Sequence, residues 1–182
     1  MGAVFRRLRD VGYALFFLFH LAIILLANTQ LVLDRKLFPK ELVDFQDKLV
    51  KDAKDPLFGN APTWFQALIW FELFTYVPFL FLGFFGALTG ERWIRIPSIM
   101  YATSLITELI PMLGHIFYDS FSGPGIIGPK TKDERMYASF LYAGFFLVGV
   151  CLLLDNLFYR GNDPINDVGV STTYVGGKKK NQ

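Results

Sequence analysis

The chain has 182 residues, 53% of them hydrophobic, a mean hydropathy of +0.37 and a formal net charge of only +2. Its charges fall in short blocks between apolar runs, which excludes an ordinary soluble core. Its basic residues form neither a stripe nor an aromatic-interleaved patch, which excludes a nucleic-acid partner. The single cysteine, Cys151, lies in an apolar run, so no intrachain disulfide and no Cys/His metal cluster is available, and no cofactor is expected.

In chain order, Arg6, Arg7 and Arg9 precede an apolar run over residues 11–27. The order resembles a signal peptide, but the run ends in Ala27-Asn28-Thr29-Gln30 and further apolar runs follow, so it reads as a retained first helix. Four runs, residues 11–29, 62–88, 96–118 and 136–158, approach the roughly 20 residues that a hydrocarbon core demands. The predicted fold is therefore an all-α membrane protein, a four-transmembrane-helix bundle. Trp64 and Trp93 bracket the second run, where indole rings prefer the headgroup layer. Asn60 is a candidate cap ahead of Pro62.

The first connection, residues 30–61, carries Phe38, Leu42, Phe45 and Leu49 at offsets of four, three and four, with Lys40, Asp44, Asp47, Lys48 and Lys51 between them. That is one apolar stripe on a polar helix, ended by Asp55-Pro56 because the residue before a proline is pushed out of the α region. Periodicity leaves two readings open: a lid over a cavity in the bundle, or a surface helix that fills a long connection.

The second run holds an acid, Glu72. Facing lipid it would cost roughly 2.5–3.5 kcal/mol, so it is expected to face protein or a polar cavity. In the third run Ser104, Glu108 and His115 fall at offsets of four and seven, on one helix face, with Thr107 beside them. Two intramembrane carboxyl groups on successive spans suggest a shared polar pocket. The plainer reading is that each bonds to a hydroxyl such as Thr75, Tyr76, Thr103 or Thr107 and glues helices together. His20, in the first run, reads as an interhelical hydrogen-bonding group. Pro78 and Pro111 interrupt the second and third runs and free backbone carbonyls, while Gly83, Gly86, Gly90, Gly144 and Gly149 permit close helix approach.

The connection over residues 89–95 is short and basic, and that over residues 119–135 is a Gly- and Pro-rich loop. Lysines and arginines balance across the two sides, and Arg6, Arg7 and Arg9, packed against a span, break the tie in favour of cytosolic termini and a luminal first connection. Residues 1–160 form the membrane domain and residues 161–182 a polar tail. Lys179 and Lys180 in that tail resemble a dilysine retrieval signal; a basic tail on anionic lipid is the alternative.

A family resemblance rests on ordered motifs: Lys54-Asp55-Pro56-Leu57, Pro62 with Trp64-Phe65, Glu72-Leu73, Pro78-Phe79, Trp93-Ile94-Arg95, Pro97, Tyr101, Leu109-Ile110-Pro111, Glu134-Arg135 and Tyr142-Ala143. Together these resemble the sigma-2 receptor family of the EXPERA superfamily over nearly the whole chain. The resemblance implies a homodimeric four-helix protein of the endoplasmic reticulum membrane. It also implies a lipid-accessible pocket for a sterol or hydrophobic amine. Carried over by position, Asp55 and Glu72 match pocket acids, and Thr107 and Tyr142 match wall residues. Asn28 stands where the family has an aspartate that pairs with cationic amines; an amide can accept a hydrogen bond from an ammonium but brings no charge. Glu108 stands where the family is uncharged, and Tyr76 and Phe145 also depart from the pattern. The candidate ligand-binding set is thus Asn28, Asp55, Glu72, Tyr76, Thr107, Glu108 and Tyr142, with no catalytic residue assigned.

Three functions follow as expectations. The first is a non-enzymatic binder of sterol or membrane lipid, acting in lipid handling or as a chaperone for another membrane protein. The second is a sterol isomerase of the same superfamily, in which Glu72 and Glu108 supply acid and base. Against it, the histidine expected one turn before the second-span acid is Leu68 here, and no tryptophan lies in the fourth run. The third is suggested by similarity to fungal relatives of the efficient mitochondria targeting-associated type, which aid delivery of mitochondrial precursor proteins from the endoplasmic reticulum surface.

Overall fold

A computed structural model describes residues 2–158, so the tail with Lys179 and Lys180 lies outside the described residues. Among the described residues the regular structure is six α-helices, α1 (Gly2–Leu26), α2 (Lys40–Ala53), α3 (Pro56–Asn60), α4 (Thr63–Thr89), α5 (Arg95–Tyr118) and α6 (Lys132–Phe158), with three short 3-10 turns between them. Among the described residues four helical stretches, Arg7–Leu31, Thr63–Thr89, Arg95–Tyr118 and Lys132–Phe158, are long and apolar enough to cross a membrane. Large outward side chains such as Phe74, Phe81 and Phe140 are exposed, which suits lipid and would not suit water. Pro78 and Pro111 sit inside α4 and α5, which continue through them.

The spans associate as two close pairs, α1 with α4 and α5 with α6, and the pairs meet much more sparsely. Gly83 lets α4 approach α1, since a Cβ there would lie 3.3 Å from the Phe17 ring. Gly144, expected at a close approach, has no such neighbour. Gly90 serves instead as the left-handed C-cap of α4, at φ 73°. The seam between the pairs is bridged by rings, among them Phe16 and Phe145 with centroids 5.4 Å apart.

Termini are satisfied locally. Lys54 closes α2 in the left-handed region, and the Asp55 carboxylate then caps α3, accepting from the Leu57 and Phe58 amides at 2.9 and 3.2 Å. Asn60 does not cap α4; its side chain bonds the Pro56 and Ile127 carbonyls and the Ile127 amide, pinning the third connection to α3. Glu134 and Thr131 form a capping box at the start of α6. Arg135 donates to the Ile116 and Asp119 carbonyls at the end of α5, where helix carbonyls otherwise lack partners.

One stripe is turned from its expected setting. On α2 the buried residue is Gln46, with Leu42, Val43 and Val50 partly covered, whereas Phe45 and Leu49 point outward at 61% and 50% exposure. The reason is chemical: α2 packs on α3 and α6 and is pinned to the residue after α1 by a polar contact, Gln46 Nε2 donating to the Ala27 carbonyl at 3.3 Å.

Candidate ligand site in the helix bundle

Glu72 on α4 and Glu108 on α5 both face the bundle interior, 4% and 7% exposed. Helical spacing delivers them there. Glu72 shares its face with Phe65, Ile69, Tyr76 and Leu80, and Glu108 shares its face with Tyr101, Leu105 and Met112, all buried.

The threonines that could have bonded these acids do not. Thr75, Thr103 and Thr107 each donate to the carbonyl four residues earlier in their own helix. Glu72 instead accepts from Asn28 Nδ2 at 2.6 Å, a link between α4 and the 3-10 turn Asn28–Leu31 that follows α1. Asn28 therefore spends one of its two amide hydrogens on the acid and keeps its carbonyl oxygen as an acceptor. Glu108 and the Tyr76 hydroxyl lie against each other, acceptor beside donor, although neither Glu108 Oε2 nor the Tyr76 hydroxyl makes a hydrogen bond of good geometry among the described residues.

Around the acids stands an aromatic wall. His20 Nδ1 and the Tyr101 hydroxyl share a hydrogen bond of 2.5 Å that ties α1 to α5. The Tyr101 ring lies 5.0 Å from Tyr76 and 4.8 Å from Phe79, and His20 lies 4.7 Å from Phe145 on α6. His20, read from sequence as a bridging group, is thus part of this core. Nothing in the sequence pairs it with Tyr101, a residue in a different apolar run.

The remaining candidates divide. Tyr142 is buried and donates its hydroxyl to Asp55 at 2.7 Å, joining α6 to the α3 cap. Burial raises the Asp55 pKa above 3.8, opposed by the bonds from Tyr142 and from the Phe58 and Leu57 amides. Thr107 lies apart from the others, exposed on the outer face of α5, one residue and so about 100° around the helix from Glu108. The structure thus brings Asn28, Glu72, Tyr76 and Glu108 together, sets Asp55 and Tyr142 at one end, and leaves Thr107 outside. His115, placed by its spacing on the Glu108 face, bonds Asp119 at 2.6 Å and packs on Trp64 and Phe121 at the end of α5.

Residues 41–156 match the family described as EXPERA (EXPanded EBP superfamily). The chain belongs to the EXPERA family. It is similar to a curated relative, sigma intracellular receptor 2 of Xenopus tropicalis, at 35% identity over 157 residues, covering 86% of this chain and 92% of the relative. The Homo sapiens and Macaca fascicularis proteins of the same name are each 35% identical, over 159 and 153 residues. Those alignments cover 85% and 82% of this chain and 90% and 87% of the relatives. Sigma-2 receptor-like EXPERA membership, four apolar spans and paired carboxyl groups in the core thus coincide in one membrane protein.

Proposed function

We propose that this EXPERA protein binds a sterol or another largely apolar molecule in the seam between its helix pairs and acts in lipid handling without chemical turnover. The observation that carries this reading is the pair of buried acids, Glu72 and Glu108, with the buried Tyr76 hydroxyl set against Glu108 in a contact short of good hydrogen-bond geometry, which a ligand hydroxyl would bridge. A buried polar group without a hydrogen bond costs about 1–3 kcal/mol, and a ligand hydroxyl seated there would offset that cost. The surrounding rings of Phe79, Tyr101 and Phe145 supply an apolar wall. Asn28 favours a neutral guest, because its free carbonyl oxygen accepts a hydrogen bond but offers an ammonium no charge. In this reading the protein resides in the endoplasmic reticulum membrane as a homodimer with both termini cytosolic.

The test is equilibrium binding of a radiolabelled sterol to the protein in lipid nanodiscs. Glu72→Gln and Glu108→Gln are expected to weaken binding about tenfold while leaving the fold intact, since glutamine keeps the shape and one acceptor. Unchanged affinity in both variants would remove the acids from the site. Conversion of a Δ8 sterol by the wild-type protein would replace the binding role with isomerisation, in which His20 and Tyr101 join the acids as proton-carrying groups.

A second reading, assistance to mitochondrial precursor proteins at the membrane surface, requires the opposite orientation, with the first connection cytosolic, and is then favoured by one observation: Leu37, Phe45 and Leu49 expose an apolar surface on and beside α2. Under that reading Phe45→Ser with Leu49→Ser impairs precursor delivery in a reconstituted import assay and Glu72→Gln does not. The reverse pattern supports the pocket.

A further inference from the structure

α2 is amphipathic, yet part of its apolar stripe is uncovered, with Phe45 and Leu49 both exposed. Helix geometry says where that flank points. Gln46 faces the bundle, bonded to the Ala27 carbonyl just past the end of α1. At about 100° per residue, Leu49 and Phe45 lie on the same side of Gln46, turned from it by roughly 60° and 100°. They therefore face sideways at the bundle mouth, neither down into the spans nor straight away from them. The opposite flank is occupied, because Asp47 there holds the Arg35 guanidinium.

The level of α2 is fixed by what it touches. Gln46 meets the end of the first span, and Lys54, directly after α2, pairs with Glu134 in the first turn of α6. α2 also packs on α6, which turns Met136, Tyr137 and Phe140 outward over its next turns. At the same end of the bundle Trp64 opens α4 and Tyr118 closes α5, both exposed. With Tyr137 they form an aromatic belt of the kind that sits in the headgroup layer. α2 lies in that layer, so its apolar flank borders the upper acyl chains beside the lipid-facing surface of a span.

Charge restricts which lipid is needed. The exposed ionisable groups of α2 balance, with Lys40, Lys48 and Lys51 against Glu41, Asp44 and Asp52, so the helix does not select an anionic surface.

We propose that α2 is an in-plane membrane anchor: Phe45 and Leu49 insert into the upper acyl layer of the protein's own bilayer, with zwitterionic phospholipid as a sufficient partner. The first connection is thereby held against the membrane across the bundle mouth.

The test puts nitroxide spin labels on the full chain in phosphatidylcholine nanodiscs, in a Cys151→Ala background that removes the native thiol. Labels at Phe45→Cys and Leu49→Cys are compared with Phe74→Cys, which faces lipid along α4, and with Asp44→Cys, on the solvent side of α2. Collision with dissolved oxygen, which concentrates among acyl chains, and with a water-soluble nickel chelate reports the depth of each label. The oxygen-to-nickel ratio at Phe45 and Leu49 is expected to shift from the value at Asp44 toward that at Phe74, and to stay there when phosphatidylserine is mixed in. Phe45→Ser combined with the label at Leu49→Cys is expected to move that label toward water. Ratios at Phe45 and Leu49 equal to that at Asp44 would overturn the proposal and leave the flank in water, open to a protein partner. A shift that requires phosphatidylserine would also overturn it, since charge and not the apolar flank would then hold the helix. So would a Leu49 label that Phe45→Ser leaves in place, because the two side chains would not be acting as one anchor.

Discussion

Asp55 performs two tasks with one carboxylate: one oxygen caps α3 and the other receives the Tyr142 hydroxyl from α6. Tyr142→Phe leaves that second oxygen unbonded in a confined place and is expected to cost about 1–3 kcal/mol, read as a lower unfolding midpoint in detergent. The pH dependence has a definite sign. The folded pKa of Asp55 is raised above 3.8 by burial, so the folded state holds its proton more tightly than the unfolded chain. Its stabilising share is complete below 3.8 and is lost as pH rises through the folded pKa. Asp55→Asn cannot titrate. The midpoint of the wild-type protein relative to this variant should therefore fall as pH is raised from below 3.8 toward neutrality, and a difference that grows instead would reject the assignment. At this scale Glu72 was legible, because an acid in a spanning run must turn inward. Its partner was not legible, since Asn28 lies 44 residues away and no periodicity connects the two. Thr107 was named as a neighbour of Glu108 and as a wall residue by resemblance, and helical geometry sets it apart, because a residue adjacent to an inward Glu108 points well away.

Among the elements, α2 shows where pattern reading stops. Its apolar period forecast a helix, which is present as Lys40–Ala53, but the period does not say which face lies down when the partner surface is polar. Gln46 settles the rotation through the Ala27 carbonyl, and Phe45 is left outside. Phe45→Ser should therefore change unfolding stability in detergent by no more than about 0.5 kcal/mol. Leu57→Ala, at a fully buried position on α3, should cost about 2–5 kcal/mol. Similar losses at the two positions would mean that α2 is seated differently. The short α3 was missed because Asp55-Pro56 was read as a stop signal. The same pair also starts a helix, with the acid as N-cap and the proline in the first turn. The spans were the easy part, since a run of about 20 apolar residues has few alternatives in a bilayer.

For the whole molecule, the informative feature is unequal packing: α1 with α4 and α5 with α6 are tightly joined, and the carboxyl core lies in the sparser seam between the two pairs. Sequence gave the number of spans but not their pairing, because the contacts that set it, such as Phe17 against Gly83, join residues far apart in the chain. Under the proposed binding role, the sparser seam of rings is the route by which a lipid-soluble molecule would reach the buried acids from the membrane. The most direct test is to irradiate the protein in nanodiscs with a photoreactive sterol and map the modified residues by mass spectrometry. Labels on seam residues such as Phe16, Tyr76 and Phe145, lost in Glu72→Gln and Glu108→Gln, are the predicted result. Labels confined to outward positions such as Phe74, Phe81 and Phe140, and unchanged in both variants, would contradict it.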